Sequence, residues 1–254
     1  LMAKVALVTG SSRGIGGAIA ARLAEEGASV IVNSSSSVKE AKKVLRSLTI
    51  NNDQQRHIFI KSDVGEPGSI AAMFARIARQ YGRLDILVNN AGTTRFVDHA
   101  KLERLTPDLF DRIYKVNLRG AFLCVRQALP LLRRSKGALV VNIASIAATT
   151  AIGSNIAYCA TKAGVVNMTK SLARALAPNI RVNSVSPGLT ETDLIKGWGS
   201  YRLEQIKKTP LGRLARCEDV AGVVAALAVD MPYITGQDIV IDGGHGGIEP
   251  STII

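Results

Sequence analysis

Lys4-Val5-Ala6-Leu7-Val8-Thr9-Gly10-Ser11-Ser12-Arg13-Gly14-Ile15-Gly16 is the stretch whose reading decides the fold. Its first six residues form a short apolar run of the kind a buried strand carries. The next seven place three glycines as G-x-x-x-G-x-G, and an amphipathic helix follows to about Glu26, ended by Gly27. Strand, glycine turn and helix in that order is the context a dinucleotide requires. Glycine lets backbone approach a pyrophosphate, and a helix N-terminus favours its negative charge. Gly10, Ser12, Arg13, Gly14, Ile15 and Gly16 are therefore candidate cofactor contacts. The plain alternative is a tight turn with no ligand, and the flanking strand and helix argue against it.

A second strand is predicted over residues 28–32. In an NAD site an acidic residue near its end would hold the ribose 2′-hydroxyl. Here the strand runs into Asn33-Ser34-Ser35-Ser36-Ser37, with no carboxylate. Arg13 and Lys39 could face a 2′-phosphate beside those serine hydroxyls. The expected cofactor is NADP(H), with NAD(H) as the alternative, and Asn33, Ser34 and Ser35 join the candidate contacts. Were the serines only a loop, this preference would fall.

The alternation continues along the chain. Helices are predicted over 38–48, 66–81, 106–134, 158–177 and 217–230, and strands over 57–61, 85–88, 137–143, 180–185 and 238–241. Such a pattern predicts an α/β fold: one domain over residues 1–254, a doubly wound parallel sheet of about seven strands with helices on both faces. The fourth strand runs into Asn89-Asn90-Ala91-Gly92, where the small Ala91 and Gly92 would let a flat ring lie against backbone. Asn117 sits in the middle of the longest apolar helix. Asparagine is a poor helix former, so it is expected either to be satisfied locally or to mark a kink that places a relay water. Residues 193–210, with Trp198 and Tyr201, read as an irregular lid over a substrate pocket. Residues 245–254 read as a tail.

Tyr158-Cys159-Ala160-Thr161-Lys162 carries the chemistry. Positions i and i+4 of a helix share a face, so a phenol and an ammonium can point into one cavity. A free phenol has a pKa of ~10, and bringing it to about 7 takes roughly 4 kcal/mol. One positive charge ~4 Å away at an effective dielectric of ~20 supplies about that much. A phenol so poised can give a proton to a carbonyl oxygen or take one from an alcohol. Ser145 lies just past the fifth strand, where open α/β sheets bind ligands. As a nucleophile it would need a Gly-x-Ser-x-Gly elbow and a histidine, which are absent around it. His57, His99 and His245 are scattered, without metal-ligand spacing, and no metal is expected.

Composition narrows the classes further. The 254 residues are 47% hydrophobic with no apolar run long enough to span a membrane, so no membrane partner is expected. The net charge of +12 is dispersed, and aromatics are only 4%, too few for a base-stacking platform. No nucleic-acid partner is expected. Cys124, Cys159 and Cys217 read as reduced thiols. With no signal-peptide layout in Leu1-Met2-Ala3-Lys4-Val5, the expected compartment is cytoplasmic.

Taken together, Thr9-Gly-x-x-x-Gly-x-Gly16, Asn89-Asn-Ala-Gly92, Asn117, Ser145, Tyr158-x-x-x-Lys162 and Pro187-Gly188 resemble the classical short-chain dehydrogenase/reductase family, in order and in approximate spacing. The resemblance runs from about Ala3 to Gly244 and implies a Rossmann-type sheet. It implies that Tyr158 is the general acid/base, that Lys162 lowers its pKa and holds the nicotinamide ribose, that Ser145 binds the substrate oxygen and that Asn117 anchors a relay water. It further implies that Asp63 and Val64 border the adenine, that Asn89, Ala91 and Gly92 line the cofactor, and that Pro187, Gly188, Thr190 and Thr192 flank the nicotinamide carboxamide and phosphates. Hydride would pass directly, without a metal. The family is commonly tetrameric, so a homotetramer is expected.

Within the family, Arg13 and the missing carboxylate look most like the 3-oxoacyl-acyl-carrier-protein reductase branch. That likeness implies a small carbonyl or acyl-thioester substrate and an acidic acyl-carrier protein as partner, with Arg174 on the basic surface suited to it. Against it, Pro130 stands where that branch tends to carry a basic residue. An NAD(H)-dependent alcohol, sugar or steroid dehydrogenase is the alternative within the family. A catalytically silent NADP(H)-binding scaffold is the alternative outside it.

Overall fold

A computed structural model of the chain describes residues 1–192 and 199–246. Seven parallel strands form one sheet in the order β3-β2-β1-β4-β5-β6-β7. They are β1 (Val5–Val8), β2 (Ser29–Ser34), β3 (Ile58–Lys61), β4 (Ile86–Asn89), β5 (Ala138–Ile143), β6 (Ile180–Pro187) and β7 (Asp238–Ile241). The helices are α1 (Gly14–Glu25), α2 (Val38–Ser47), α3 (Pro67–Tyr81), α4 (Pro107–Tyr114), α5 (Ala121–Leu132), α6 (Ala147–Thr150), α7 (Ile156–Leu176), α8 (Gly199–Lys207) and α9 (Cys217–Val229). This is the doubly wound Rossmann-like sheet that the alternation predicts.

The two faces follow from the pleat. Successive side chains of a strand point to opposite sides. Leu7, Leu87, Val140 and Val182 enter one core with Ile70, Met73 and Ile77 of α3 and Val125, Ala128 and Leu132 of α5. Their neighbours Ala6, Val8, Val88 and Val141 enter the other, with Ile19 and Leu23 of α1 and Val220 and Val224 of α9. Strands covered on both sides read as continuous apolar runs, and β1, β4 and β5 are buried throughout.

After β3 the chain returns to lay β4 beside β1, with Val8 opposite Val88. The strand order reverses there, and open α/β sheets bind ligands in the crevice such a reversal leaves at the carboxyl ends. The Gly10 turn, the Asn89–Gly92 segment, Ser145 and the Pro187–Thr192 segment all leave strands at that edge.

Two expectations change. The long helix over 106–134 is not uniform: Lys115–Gly120 is a π-helical turn between α4 and α5. Backbone angles on either side of it stay helical, so the insertion widens one turn without ending the helix. Close packing accompanies it, since a Cβ added to Gly120 would lie 2.5 Å from the Val64 carbonyl oxygen. The lid is the other correction. Residues 193–198, Trp198 among them, lie outside the described residues, but 199–207 form α8 rather than an irregular loop. Of the expected tail, 247–254 lies outside the described residues.

Candidate active site

The glycine turn is shaped by close approach. Gly10 has φ +64, a left-handed angle, and a Cβ on it would lie 2.8 Å from Ala91 Cα. A Cβ on Gly16 would meet Asn90 Nδ2 at 2.4 Å and the Gly10 carbonyl oxygen at 2.6 Å. Asn90 explains the second clash, because its amide donates to the carbonyls of Thr9 (2.9 Å) and Gly10 (3.1 Å). Thr9 in turn accepts at Oγ1 from the backbone of Asn90 and Ala91, at 3.0 and 3.1 Å. The exits of β1 and β4 are thus laced together.

A phosphate would fit at the start of α1. Its first-turn amides have no intrahelical acceptor, no side chain caps it, and its first turn holds no acidic residue. The conformation at Gly14, φ +55, is also one that glycine takes without strain. Ser12 is buried, Gly14 and Ile15 are partly exposed, and Arg13 projects to solvent. Thr192 comes back across this turn, its Cγ2 lying 3.5 Å from where a Gly14 Cβ would be.

At the end of β2 the candidate contacts divide. Asn33 is buried, with every side-chain bond ending on the protein. Its Oδ1 accepts from Gly10 N (3.1 Å) and its Nδ2 donates to the carbonyls of Ile60 and Ser62 (both 3.1 Å). It holds the glycine turn to β3. Ser34 is buried and accepts from Ser37 N at 3.1 Å, whereas Ser35, Ser36 and Lys39 are exposed. Asp63 is exposed and accepts from Gly65 N at 2.7 Å; Val64 is buried beneath the π-turn.

Asn89 is buried between β5 and α5. Its amide donates to Asn142 Oδ1 (2.9 Å) and the Ala121 carbonyl (3.3 Å), while its Oδ1 has no partner among the described residues. Ala91 and Gly92 are accessible. On the far side, the Gly188 amide donates to the Ile241 carbonyl at 2.8 Å, and Thr190 Oγ1 donates to the Gly188 carbonyl at 3.0 Å. Pro187 is buried and accepts at its carbonyl from Ile146 N at 3.0 Å, joining the exits of β5 and β6.

Ser145, Tyr158 and Lys162 converge. Ser145 Oγ accepts from Ala147 N at 3.2 Å, which leaves its hydroxyl proton free to donate. Lys162, 5% exposed, donates from Nζ to the Ile143 carbonyl at 2.7 Å and lies 5.6 Å from the Tyr158 ring centroid. No carboxylate among the described residues pairs with it. Burial lowers its pKa to about 8, so at neutral pH it is still an ammonium.

Tyr158 departs from expectation. Burial pushes its phenol above the ordinary value, and a hydrogen bond with Ser145 pulls back only part of the way. The charge of Lys162 does not outweigh burial here. Its ammonium is drawn to the Ile143 carbonyl and stands over the ring, and burial destabilises both charged forms.

Asn117 is also bonded within the protein. Its Oδ1 accepts from Thr93 N (2.8 Å) and its Nδ2 donates to Thr93 O (3.0 Å). The side chain is satisfied locally, and the π-turn departs from regular helix around it.

Sequence reasoning passed over Asn155, Asn142, Thr169 and Gly120. Asn155 carried a readable signal, an Asn just ahead of an apolar helical run, but the helix was expected to open at Tyr158 and opens at Ile156. The others have no sequence signature, because their partners lie on other elements.

The chain is similar along most of its length to known reductases and dehydrogenases. Residues 10–246 match the family profile described as enoyl-(acyl carrier protein) reductase. The 3-oxoacyl-(acyl-carrier-protein) reductase FabG of Staphylococcus aureus is 39% identical over 246 residues, covering 96% of this chain and 98% of that protein. A short-chain dehydrogenase from Burkholderia cenocepacia, solved in complex with NADP, superposes with a TM-score of 0.89 at 36% identity, covering 96% of this chain and 98% of that one. A 3-ketoacyl-(acyl-carrier-protein) reductase from Brucella melitensis, complexed with NADH, gives a TM-score of 0.87 at 33% identity, covering 97% and 99%.

Proposed function

We propose that this chain, which belongs to the short-chain dehydrogenase/reductase family of oxidoreductases, is an NADP(H)-dependent enzyme that reduces the carbonyl of a 3-oxoacyl thioester or a small ketone to a secondary alcohol. The observation that carries the reading is the convergence of Ser145, Tyr158 and Lys162 at the carboxyl edge of the sheet, beside the glycine turn.

A nicotinamide bound at that edge would supply the hydride. The chain's own residues do the rest. The Ser145 hydroxyl hydrogen-bonds the substrate oxygen, keeping its proton, and holds that oxygen toward Tyr158. Tyr158 Oη gives its proton to that oxygen as negative charge builds there. Burial holds the phenol above its ordinary value, so at neutral pH Tyr158 carries the proton that it donates. Lys162 places positive charge under the phenolate left behind. Two oxygen-directed donors, Ser145 and Tyr158, favour a C=O over a C=C bond as the acceptor.

For the cofactor, the exposed Arg13, Ser35 and Lys39 and the absence of a carboxylate at the end of β2 support NADP(H); the relative solved with NADP is consistent, and the one solved with NADH marks the alternative. The described residues act as one unit, and of the lid expected over 193–210 they include α8. Exposed Phe110, Tyr114 and Phe122 around the Asn117 turn support burial against another copy, in keeping with a tetramer. Arg174 and the basic surface are the features that would receive an acidic carrier protein.

The test is loss of absorbance in the reduced-nicotinamide band. NADPH and NADH are compared on acetoacetyl-CoA, a crotonyl thioester and diacetyl. NADPH oxidation with either carbonyl substrate, reduced about 10²–10⁴-fold by Tyr158→Phe, is the expected result. Turnover of the crotonyl thioester alone would replace the carbonyl by an enoyl substrate, and preference for NADH would overturn the roles of Arg13 and Ser35.

A further inference from the structure

We propose that Asn155 is a positioning residue for Tyr158, and that it acts by clamping the Thr93–Arg95 loop against the first turn of α7. The proposal rests on the reading of Tyr158 as proton donor.

Asn155 is 1% exposed and uses both ends of its amide. Its Oδ1 caps α7 by accepting from a backbone N–H at 2.8 Å, and that N–H belongs to Tyr158 itself. Its Nδ2 donates to Thr94 Oγ1 at 3.1 Å and to the Arg95 carbonyl at 2.7 Å. The loop so gripped is the one that leaves β4 through Asn89–Gly92.

The same loop is gripped from its other side. Asn117 bonds both the N–H and the C=O of Thr93. Two buried asparagines, one on the π-turn and one at the head of α7, therefore hold adjacent residues of a single loop. Ser154 adds two further ties, its carbonyl accepting from Val97 N at 2.8 Å and its hydroxyl bonding that of Thr94. The loop is a strut whose two ends set the separation between the Asn117 turn and Tyr158. Neither asparagine could be replaced by a residue that only accepts or only donates without losing one half of its grip.

Cap and strut make different predictions from a merely structural role. Misplacing a reacting group by about 1 Å can cost ~10²-fold in rate, whereas loss of a surface contact lowers stability and leaves turnover per folded molecule alone. Turnover of acetoacetyl-CoA and diacetyl at saturating NADPH would be measured alongside the NADPH Kd from cofactor fluorescence. Asn155→Leu, similar in size and without hydrogen bonds, is expected to lower kcat at least about tenfold with the NADPH Kd within about twofold of wild type. Asn155→Ser keeps an acceptor for the Tyr158 amide but loses both Nδ2 bonds to the loop, and is expected to lower kcat several-fold, less than Asn155→Leu. Thr94→Val, which removes one of the two loop bonds of Asn155 and the tie to Ser154 but spares the cap, is expected to lower kcat by a few-fold.

In a Tyr158→Phe background, Asn155→Leu is expected to add little to the defect already present. Unchanged kcat in Asn155→Leu would overturn the proposal. So would an equal weakening of NADPH binding, or a full additional loss on top of Tyr158→Phe. Should Asn155→Leu fail to fold, Asn155→Ser and Thr94→Val carry the same test, and unaltered kcat in both would sink it. Full turnover by Tyr158→Phe alone would instead remove the reading of Tyr158 on which the clamp depends.

Discussion

Lys162 shows how one buried charge ties protonation to both activity and stability. Its ammonium has the Ile143 carbonyl as hydrogen-bond acceptor, and burial lowers its pKa to about 8, against 10.5 for the free group. Below about pH 8 the native and unfolded chains both carry the charge. Between about 8 and 10.5 the unfolded chain holds a proton that the native one has released. The unfolded state then binds more protons, so stability rises with pH across that window. Activity moves the other way, since the charge that would sit under the Tyr158 phenolate is lost. We expect kcat/KM of the free protein to decline above about pH 8, while the thermal midpoint of wild type gains on that of Lys162→Met over the same range. Parallel pH series of turnover and melting for the two proteins check both signs. A decline in kcat/KM that persists unshifted in Lys162→Met would assign it to another group.

At the scale of elements, the glycine turn before α1 is specified by what surrounds it. A methyl at Gly16 would have to occupy space 2.4 Å from Asn90 Nδ2 and 2.6 Å from the Gly10 carbonyl oxygen. The second of these is backbone, so Gly16→Ala must move the turn, at roughly 1–3 kcal/mol for overpacking. Gly17 is the control one residue on. A Cβ there meets nothing nearer than Val44 Cγ2 at 3.7 Å, and exchanging a helical glycine for alanine gains roughly 0.5–1 kcal/mol. Gly16→Ala should therefore lower both the melting temperature and NADPH affinity, while Gly17→Ala should match or exceed wild type in both. Equal behaviour of the pair would show that the turn yields without cost. The glycine run was legible as a turn between a strand and a helix from its spacing together with its flanks. Its dependence on Asn90 was not, because the partner is supplied by β4, far away in the chain.

For the whole molecule, stability and chemistry occupy opposite edges of the sheet. Asp85, 2% exposed, lies just ahead of β4, at the edge away from Ser145 and Tyr158. It accepts from Val5 N at 2.9 Å and from Lys4 Nζ at 3.2 Å, and it also bonds Arg83 and Ser135. Burial pushes its carboxyl up, but Arg83, Ser135, Val5 and Lys4 together outweigh burial and hold it below the usual value. A carboxylate with a depressed native pKa contributes stability that is present above the unfolded value and lost as pH falls through the native one. Asp85→Ala leaves the buried Val5 N–H and Ser135 hydroxyl without their acceptor and is expected to cost about 1–3 kcal/mol, with kcat unchanged at temperatures where the protein is folded. Denaturant unfolding and turnover on one preparation separate the two. A loss below about 1 kcal/mol, the range of an exposed pair, would mean the cluster is dispensable.

The sheet, its strand number and its two-sided core were readable from the residues, because apolar runs alternating with helical periods leave a buried parallel sheet as the solution. Tyr158 and Lys162 were readable as a pair because helix geometry alone sets i beside i+4. What the tertiary structure decided was how each side chain is used. Asn33 and Asn117 direct their amides to neighbouring backbone, the helix around Asn117 widens into a π-turn, and Lys162 turns to the Ile143 carbonyl. Asn155 gains its role only because α7 begins two residues before Tyr158 and the β4 loop lies against it. Periodicity records which face a residue occupies. It does not record the partner brought to that face by a distant element, and a buried polar group takes its function from that partner.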